Sequence, residues 1–119
     1  MAAFDGRIVH LPFYIADVST AGQIYVPVPD DAEGDIVEIR SAINGAIATA
    51  DATLTAKIGG TAVTGGTITI TQSGSAAGDT DVCRPTAART VSAGDAVEIE
   101  TDGASTNTVP VFGIISIRR

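Results

Sequence analysis

The fold of this chain is decided by residues 43–72, INGAIATADATLTAKIGGTAVTGGTITITQ, which combine alternating side chains with two glycine pairs. Aliphatic or alanine residues alternate with polar ones over residues 52–58 and again over residues 67–71. A period of two residues is typical of strands that bury one face. The pairs Gly59-Gly60 and Gly65-Gly66 supply the positive φ angles that two-residue hairpin turns need. The stretch therefore predicts a three-stranded meander with a short middle strand, and it leaves open whether the threonine face meets water or another protein chain.

The same alternation recurs on both sides of this stretch. In residues 37–43, VEIRSAI, the odd-numbered side chains from Val37 to Ile43 share one face. In residues 109–118, VPVFGIISIR, Val109, Val111, Ile115 and Ile117 share one face, and Phe112 and Ile114 lie on the other. This last strand is expected either to present Phe112 and Ile114 to another subunit or to be covered on both sides by its own domain.

The remaining segments add strands and loops. Residues 8–11 and 13–18 are strand candidates on either side of Pro12, and Pro27 indicates a strand end or a sheet edge because proline lacks a backbone N–H. Residues 73–89 predict a long loop with a short strand near Val82, and at most one helical turn is expected near residues 44–51. About eight short strands separated by turns predict an all-β chain, an antiparallel β-sandwich or jelly-roll-like barrel with no significant helix.

Composition excludes several classes of function. The chain has 119 residues, which indicates one domain, and its net charge of −7 argues against binding nucleic-acid backbones or anionic membranes. No apolar run approaches the roughly 18 residues of a membrane-spanning helix, and no signal peptide is evident, so synthesis in a cytoplasm is expected. Cys83 is the single cysteine, which excludes an intrachain disulfide and predicts a small, partly buried apolar residue.

Few residues offer chemistry. His10 is the single histidine and lies in an apolar, strand-like run, so a structural role is predicted for it and no catalytic triad or zinc site is expected. The acidic turn PDDAEGD, residues 29–35, has carboxylates at the close spacing that calcium loops use, but it lacks the EF-hand pattern. A solvated acidic turn is the preferred interpretation. We therefore expect no catalytic residues, no metal, no cofactor and no enzyme activity.

Three phrases carry a resemblance to a known group of proteins: LPFYIADVSTAGQIYVPVP, INGAIATADATLTAKIGGTAVTGGTITI and GSAAGDTD with PTAARTVSAGDAVEIETDGAST. Together they cover most of residues 11–117. The chain resembles tailed-bacteriophage capsid decoration (cement) proteins of the β-sandwich or jelly-roll type. The shared features are strand and turn patterns, so the resemblance transfers no catalytic residues.

The resemblance implies a binding role. It implies a non-enzymatic virion protein that is made in the host bacterial cytoplasm, binds the outer capsid surface and stabilises the shell by bridging major capsid subunits. It also implies a homo-oligomer, a dimer or a trimer. The alternative function is a receptor- or carbohydrate-binding β-module of a phage head fibre or tail.

Four residues are candidates for protein contacts. Residues 1–7 are predicted to form an N-terminal arm before a single domain of residues 8–119, and its residues Phe4 and Arg7 are candidates for docking on a capsid subunit or a neighbouring copy. A frayed terminus is the alternative for this arm. Phe112 and Ile114 are the candidates on the last strand.

Overall fold

The structure, a computed structural model, describes residues 7–119. The segments with period-two alternation form strands, and the described residues contain nine strands and one 3₁₀ turn. The strands are β1 (Ile8–Ile15), β2 (Gly22–Pro27), β3 (Gly34–Ile43), β4 (Ala52–Ile58), β5 (Thr61–Ile70), β6 (Thr80–Cys83), β7 (Thr90–Val91), β8 (Ala96–Thr101) and β9 (Val111–Arg118). The 3₁₀ turn is Asp30–Ala32. The prediction of an all-β chain without significant helix is confirmed.

The strands form two antiparallel sheets packed as a sandwich. The front sheet has the order β1-β9-β3-β6, with the short β7 also paired to β3, and the back sheet has the order β2-β8-β4-β5. Except for the hairpin of β4 and β5, neighbouring strands in both sheets are distant along the chain, because most connections cross from one sheet to the other. Apart from β7, this is the strand order of a jelly roll.

The core lies between the sheets and is built from aliphatic side chains. Phe13 is the aromatic residue among the buried side chains of residues 7–119. The largest fully buried residues come from both sheets: Ile36, Ile39, Ile43, Leu54, Ile68, Ile70, Ile99, Ile115, Ile117, Val18, Val91 and Val97. Burial of such aliphatic side chains contributes about 1.5–3 kcal/mol each, so this core needs no disulfide or metal.

The predicted three-stranded meander is wrong in one respect. Gly59-Gly60, with φ of 58° and 82°, forms the expected turn, but β5 continues through Gly65-Gly66 to Ile70. Thr55 pairs with Thr67 and Lys57 pairs with Ala62, so the register shifts across a bulge. At this bulge the backbone of Thr64 pairs with Ala87, because the extra residues of β5 reach toward the neighbouring loop.

The predicted inward face of β3 also needs a correction. The register against β9 shifts between Ile36 and Glu38, which leaves Val37 as a bulge residue. Ile36 is therefore buried and Val37 is only partly buried, because a bulge changes which side chains face the core. From Ile39 to Ile43 the predicted alternation holds.

The predictions for prolines, short strands and the possible helical turn are confirmed in part. β1 runs without interruption through Pro12, which an edge strand tolerates because the missing N–H need not face a partner strand. Pro27 ends β2 at the edge of the back sheet, as predicted, and β6 is the short strand expected near Val82. Residues 44–51 contain no helical turn, and Ala48 instead forms a β-bridge with Thr106. Within the described residues no helix is long and apolar enough to cross a membrane.

Candidate protein-contact face

The outer face of the front sheet carries a group of exposed apolar side chains. Strand register places Tyr14 opposite Phe112, and it places Pro12 opposite Ile114. On the other side of Ile114 the register continues to Arg40, which in turn lies opposite Val82. These neighbours form one surface, called here the apolar patch: Pro12, Tyr14, Val82, Phe112 and Ile114.

The apolar patch is solvent-exposed in the isolated chain. Tyr14 is 49% exposed, Phe112 is 51% exposed and Ile114 is 45% exposed. The rings of Tyr14 and Phe112 contact each other with centroids 4.8 Å apart and planes inclined by 51°. Such a ring pair contributes about 0.5–1.5 kcal/mol beyond burial of its surface and holds both rings in place. The patch therefore presents preordered aromatic groups on a sheet, which suits recognition of another surface.

The strand beneath the patch is firmly packed. β9 lies between β1 and β3, and its alternate side chains Val111 and Ile115 are buried on the core side. Between them is Gly113, whose missing side chain leaves room for the ring of Phe13, since a Cβ there would overlap that ring. Phe112 and Ile114 therefore project outward from a strand that is hydrogen-bonded on both edges and packed below.

An ion-pair cluster borders the apolar patch. The guanidinium of Arg40 donates to Glu38 at 3.2 and 3.3 Å, and Arg84 donates to the same carboxylate at 3.2 Å. The hydrogen bonds from Arg40 lower the pKa of Glu38 against the opposing effect of partial burial, and Arg84 lowers it further. One carboxylate thus faces two guanidinium groups, so the border of the patch retains positive charge.

Charge is divided unevenly between the two sheets. Six arginines, Arg7, Arg40, Arg84, Arg89, Arg118 and Arg119, lie in or directly beside front-sheet strands, and by the same criterion five acidic residues do, Glu33, Asp35, Glu38, Asp79 and Asp81. The back-sheet strands contain Glu98, Glu100 and the single lysine, Lys57. The net charge of −7 therefore arises from the back sheet and the loops, and the front sheet carries the basic side chains.

The predicted contact residues have different outcomes. Phe112 and Ile114 lie side by side along the outer face and are exposed, so the domain does not cover them. Phe4 lies outside the described residues. Arg7 is exposed, and its backbone C=O accepts a hydrogen bond from the N–H of Arg119 at 2.8 Å. At about 3.3 Å per residue, Arg7 lies roughly 17 Å along the strand from Pro12, the partner of Ile114, so the structure does not bring Arg7 to the patch.

Sequence reasoning missed Tyr14, Pro12 and Val82 as members of this face. The structure places Pro12 and Tyr14 on the exposed face of β1, but the sequence of this strand, IVHLPFYI, is apolar on both faces and gave no signal for it. The pairing of the first strand with the last was not readable from the sequence, and this pairing brings Tyr14 against Phe112.

Two of the groups considered for chemistry, His10 and Asp35, have structural partners. The Nδ1 atom of His10 lies 2.9 Å from the Oγ atom of Ser116 on the neighbouring strand. Asp35 accepts a hydrogen bond from the Thr90 hydroxyl at 2.6 Å, which ties β3 to β7. Asp30 and Asp31 form the exposed 3₁₀ turn. Within residues 7–119 no three His, Cys, Asp or Glu side chains come together as a metal ligand set.

Cys83 is buried, as predicted, and its burial raises the pKa of the thiol to about 11. The thiol therefore stays protonated at neutral pH, where the thiolate would be the nucleophile. Asp17, beside an apolar cleft between β1 and β2, accepts hydrogen bonds from Ser19 and Thr20. The bonds from Ser19 are the main cause of its lowered pKa. Its oxygens thus serve to close a turn.

Comparison with known proteins concerns the fold. No protein-family model and no curated protein sequence matches the chain. A chain in the acidic stable capsid structure of Helicobacter pylori bacteriophage KHP30 superposes with a TM-score of 0.54 and 13% identity, covering 92% of this chain and 85% of that chain. A chain of the cyanophage Pam1 capsid asymmetric unit gives a TM-score of 0.50 with 13% identity, covering 92% and 81%.

A carbohydrate-binding module from Clostridium stercorarium in complex with cellobiose gives a TM-score of 0.48 with 10% identity, covering 83% of this chain and 67% of that chain. At such identities a likeness concerns the fold. The chain therefore shares its all-β sandwich with chains of two phage capsids.

Proposed function

We propose that this chain is a non-enzymatic structural protein of a phage virion. It binds the outer surface of the capsid and stabilises the shell by bridging neighbouring major capsid subunits. The observation that carries this proposal is the apolar patch on the front sheet, a flat and firmly supported surface of a fold shared with chains of two phage capsids. Exposed apolar groups gathered on one face are typical of protein-contact sites.

The composition of the face suits a protein partner. Phe112 and Tyr14 supply the aromatic anchors that dominate binding energy at interfaces, and Arg40 and Arg84 supply a polar border. The opposite sheet exposes Thr67, Thr69 and acidic side chains, which suit contact with water. The front sheet accordingly faces the capsid and the back sheet faces solvent.

Bridging gives stability by summing weak contacts. A single patch of this size binds modestly, but an oligomer that engages two subunits at once makes the second contact intramolecular. A dimer or trimer on the shell therefore binds far more tightly than a single copy, and it resists separation of the subunits beneath it.

The test is imaging of purified capsids that lack this protein after mixing with it. We expect ordered, stoichiometric density on the outer surface with the wild-type protein, and strongly reduced occupancy with Phe112→Asp, because a carboxylate in the contact must be desolvated. Tyr25 is 61% exposed on the back sheet, so Tyr25→Asp is the matched control and should decorate normally. Shells that remain bare with the wild-type protein would contradict the proposal.

The second candidate function is carbohydrate or receptor binding by a virion module. The exposed pair of Tyr14 and Phe112 favours it, because paired aromatic rings can stack on sugar rings. Calorimetric titration of oligosaccharides distinguishes the two functions. Saturable binding that Phe112→Ala abolishes, together with capsids left bare, would replace the capsid proposal with this one.

A further inference from the structure

The outer edge of β5 is the free edge of the back sheet. β5 pairs with β4 on one side, and in its first half the backbone of Thr64 also pairs with the loop. The Thr64 N–H donates to the carbonyl of Ala87 at 3.0 Å, and its carbonyl accepts from the N–H of Thr86 at 2.9 Å. Beyond Gly66, no backbone of residues 7–119 pairs with the other side of β5.

The register shows which backbone groups point to this edge. Gly59-Gly60 forms a two-residue hairpin turn, so the flanking residue Ile58 directs its backbone N–H and C=O groups toward β5. Every second residue of a strand directs its backbone groups to the same side, so Leu54 and Ala52 also direct theirs toward β5. Consistent with this, the Thr53 N–H points away from β5 and donates to Asp102 at 3.3 Å.

Leu54 and Ala52 are opposite Ile68 and Ile70, so these two β5 residues use their backbone groups within the sheet. Gln72 continues the same series, and its N–H donates to Asp51 at 2.8 Å on the β4 side. The backbone groups of Thr67, Thr69 and Thr71 therefore point to the free edge.

The other sheet edges carry features that oppose strand pairing. Pro12 lies within β1, Pro27 ends β2, and β6 has only four residues. Prolines and short strands are the usual protection of exposed edges. Residues 67–71, TITIT, have no such protection: each is β-branched, and no charged residue occurs anywhere in residues 58–78.

We propose that a second copy of this chain pairs antiparallel along this edge, with a two-fold axis at Thr69. With this axis, Thr69 lies opposite Thr69 of the second copy, and Thr67 lies opposite Thr71 of the second copy. The backbone N–H and C=O groups of Thr67, Thr69 and Thr71 then all form hydrogen bonds across the interface, and their side chains form cross-strand threonine pairs. The uncharged edge allows this contact although each chain carries a net charge of −7.

The surroundings of the edge are compatible with such a pair. A cleft of about 420 Å³, lined in part by Ile70, Thr71 and Asp81, opens beside the end of β5. The two-fold axis places the acidic ends of the two clefts at opposite ends of the interface, so they do not face each other. Pro27 at the far edge of the back sheet opposes further extension, so pairing stops at the dimer.

The dimer has a consequence for binding. In an antiparallel pair, residues that lie opposite each other have their side chains on the same face of the sheet. The outer faces of the two back sheets therefore form one continuous face, and both front sheets lie on the other side of the joined sheet. Both apolar patches then face one way, as a bivalent contact with a shell requires. The dimer itself does not depend on the proposed function, because it forms in the free protein.

The test combines light scattering during size-exclusion chromatography with amide hydrogen exchange on the full chain, without capsids. We expect a dimer at high concentration and protection of the amides of Thr67, Thr69 and Thr71 that is lost on dilution. A monomer at every concentration overturns the proposal. A dimer whose three amides exchange freely also overturns it, because another surface then forms the contact.

A variant pair makes the test specific. Thr69→Lys places two ammonium groups opposite each other at the axis and should weaken dimerisation by roughly tenfold or more. Thr55→Lys adds the same charge to the same sheet face but on β4, away from the edge, and should leave the dimer intact. Equal effects of the two substitutions would overturn the proposal, and the exchange pattern of the wild-type protein remains decisive should a variant fail to fold.

Discussion

Gly113 and Phe13 show how one residue without a side chain shapes the contact face. The two residues are opposite each other on β9 and β1, and the Phe13 ring occupies the space above Gly113. This contact buries the ring in the core and leaves the alternate residues Phe112 and Ile114 outside. The position is therefore closed to any side chain, although the backbone there is ordinary strand.

The first prediction concerns this position. Gly113→Ala should lower the free energy of unfolding by about 1–3 kcal/mol, because the new methyl group forces the Phe13 ring from its site. Chemical denaturation monitored by circular dichroism measures the change. Gly22 is a strand glycine with open space where its side chain would be, so Gly22→Ala should stay within about 0.5 kcal/mol of the wild type. A similar loss in both variants would show that the ring contact is not the cause.

At the scale of elements, bulges decide which side chains face the core. Because of the bulge at Val37, Ile36 faces the core in its place. The bulge of β5 lies at Gly65-Gly66, where the sequence predicts a turn. Gly65 has φ of 74°, and a Cβ there would lie 3.2 Å from the carbonyl oxygen of Arg84. The positive φ of Gly65 and the nearby carbonyl oxygen of Arg84 both favour glycine at this position. The absence of a side chain lets the bulge pack closely against the loop that follows β6.

The second prediction follows from this bulge. Gly65→Ala should lower the free energy of unfolding by roughly 1–2 kcal/mol, because a side chain in the left-handed region is strained and meets the loop backbone. Gly59 also has positive φ but lies in the hairpin turn with open space around it. Asparagine is favoured at such a turn, so Gly59→Asn should change stability by no more than about 0.5 kcal/mol. Thermal melts of both variants give the comparison, and a neutral Gly65→Ala would contradict the assignment of this bulge.

At the scale of the whole molecule, the two sheets present different surfaces. The front sheet combines the apolar patch with arginines, and the back sheet combines threonines with carboxylates. Under the proposed function, this polarity assigns the front sheet to the capsid and the back sheet to solvent. It also predicts that binding to capsids depends on charge at the front sheet alone.

The third prediction tests this polarity. Arg84→Ala should weaken capsid binding roughly three- to tenfold and make it less sensitive to salt, because Arg84 borders the patch and is 66% exposed. Binding titrations at several salt concentrations measure both effects. Lys57 pairs with Glu100 at 3.1 Å on the back sheet, so Lys57→Ala is the matched control and should bind as the wild type does. A larger effect from Lys57→Ala would reverse the proposed orientation.

The sequence by itself determined the class of fold and the outward direction of Phe112 and Ile114. Both follow from local rules, because alternation fixes which side chains share a face and glycine or proline marks turns and strand ends. The same rules are insensitive to bulges, since one extra residue reverses the alternation without a clear sequence signal. This is why the alternation groups Val37 with Ile39 on one face and why the glycine pair predicts a turn at Gly65-Gly66.

Only the tertiary structure decided which strands that are distant along the chain are neighbours in a sheet. β1 and β9 lie at opposite ends of the chain, and their pairing places Tyr14 on Phe112. The order of strands likewise left β5 with an open edge and gathered the arginines on one sheet. Such pairings depend on the packing of the whole core and not on local propensity, so the apolar patch and the open edge of β5 follow only from the assembled sheets.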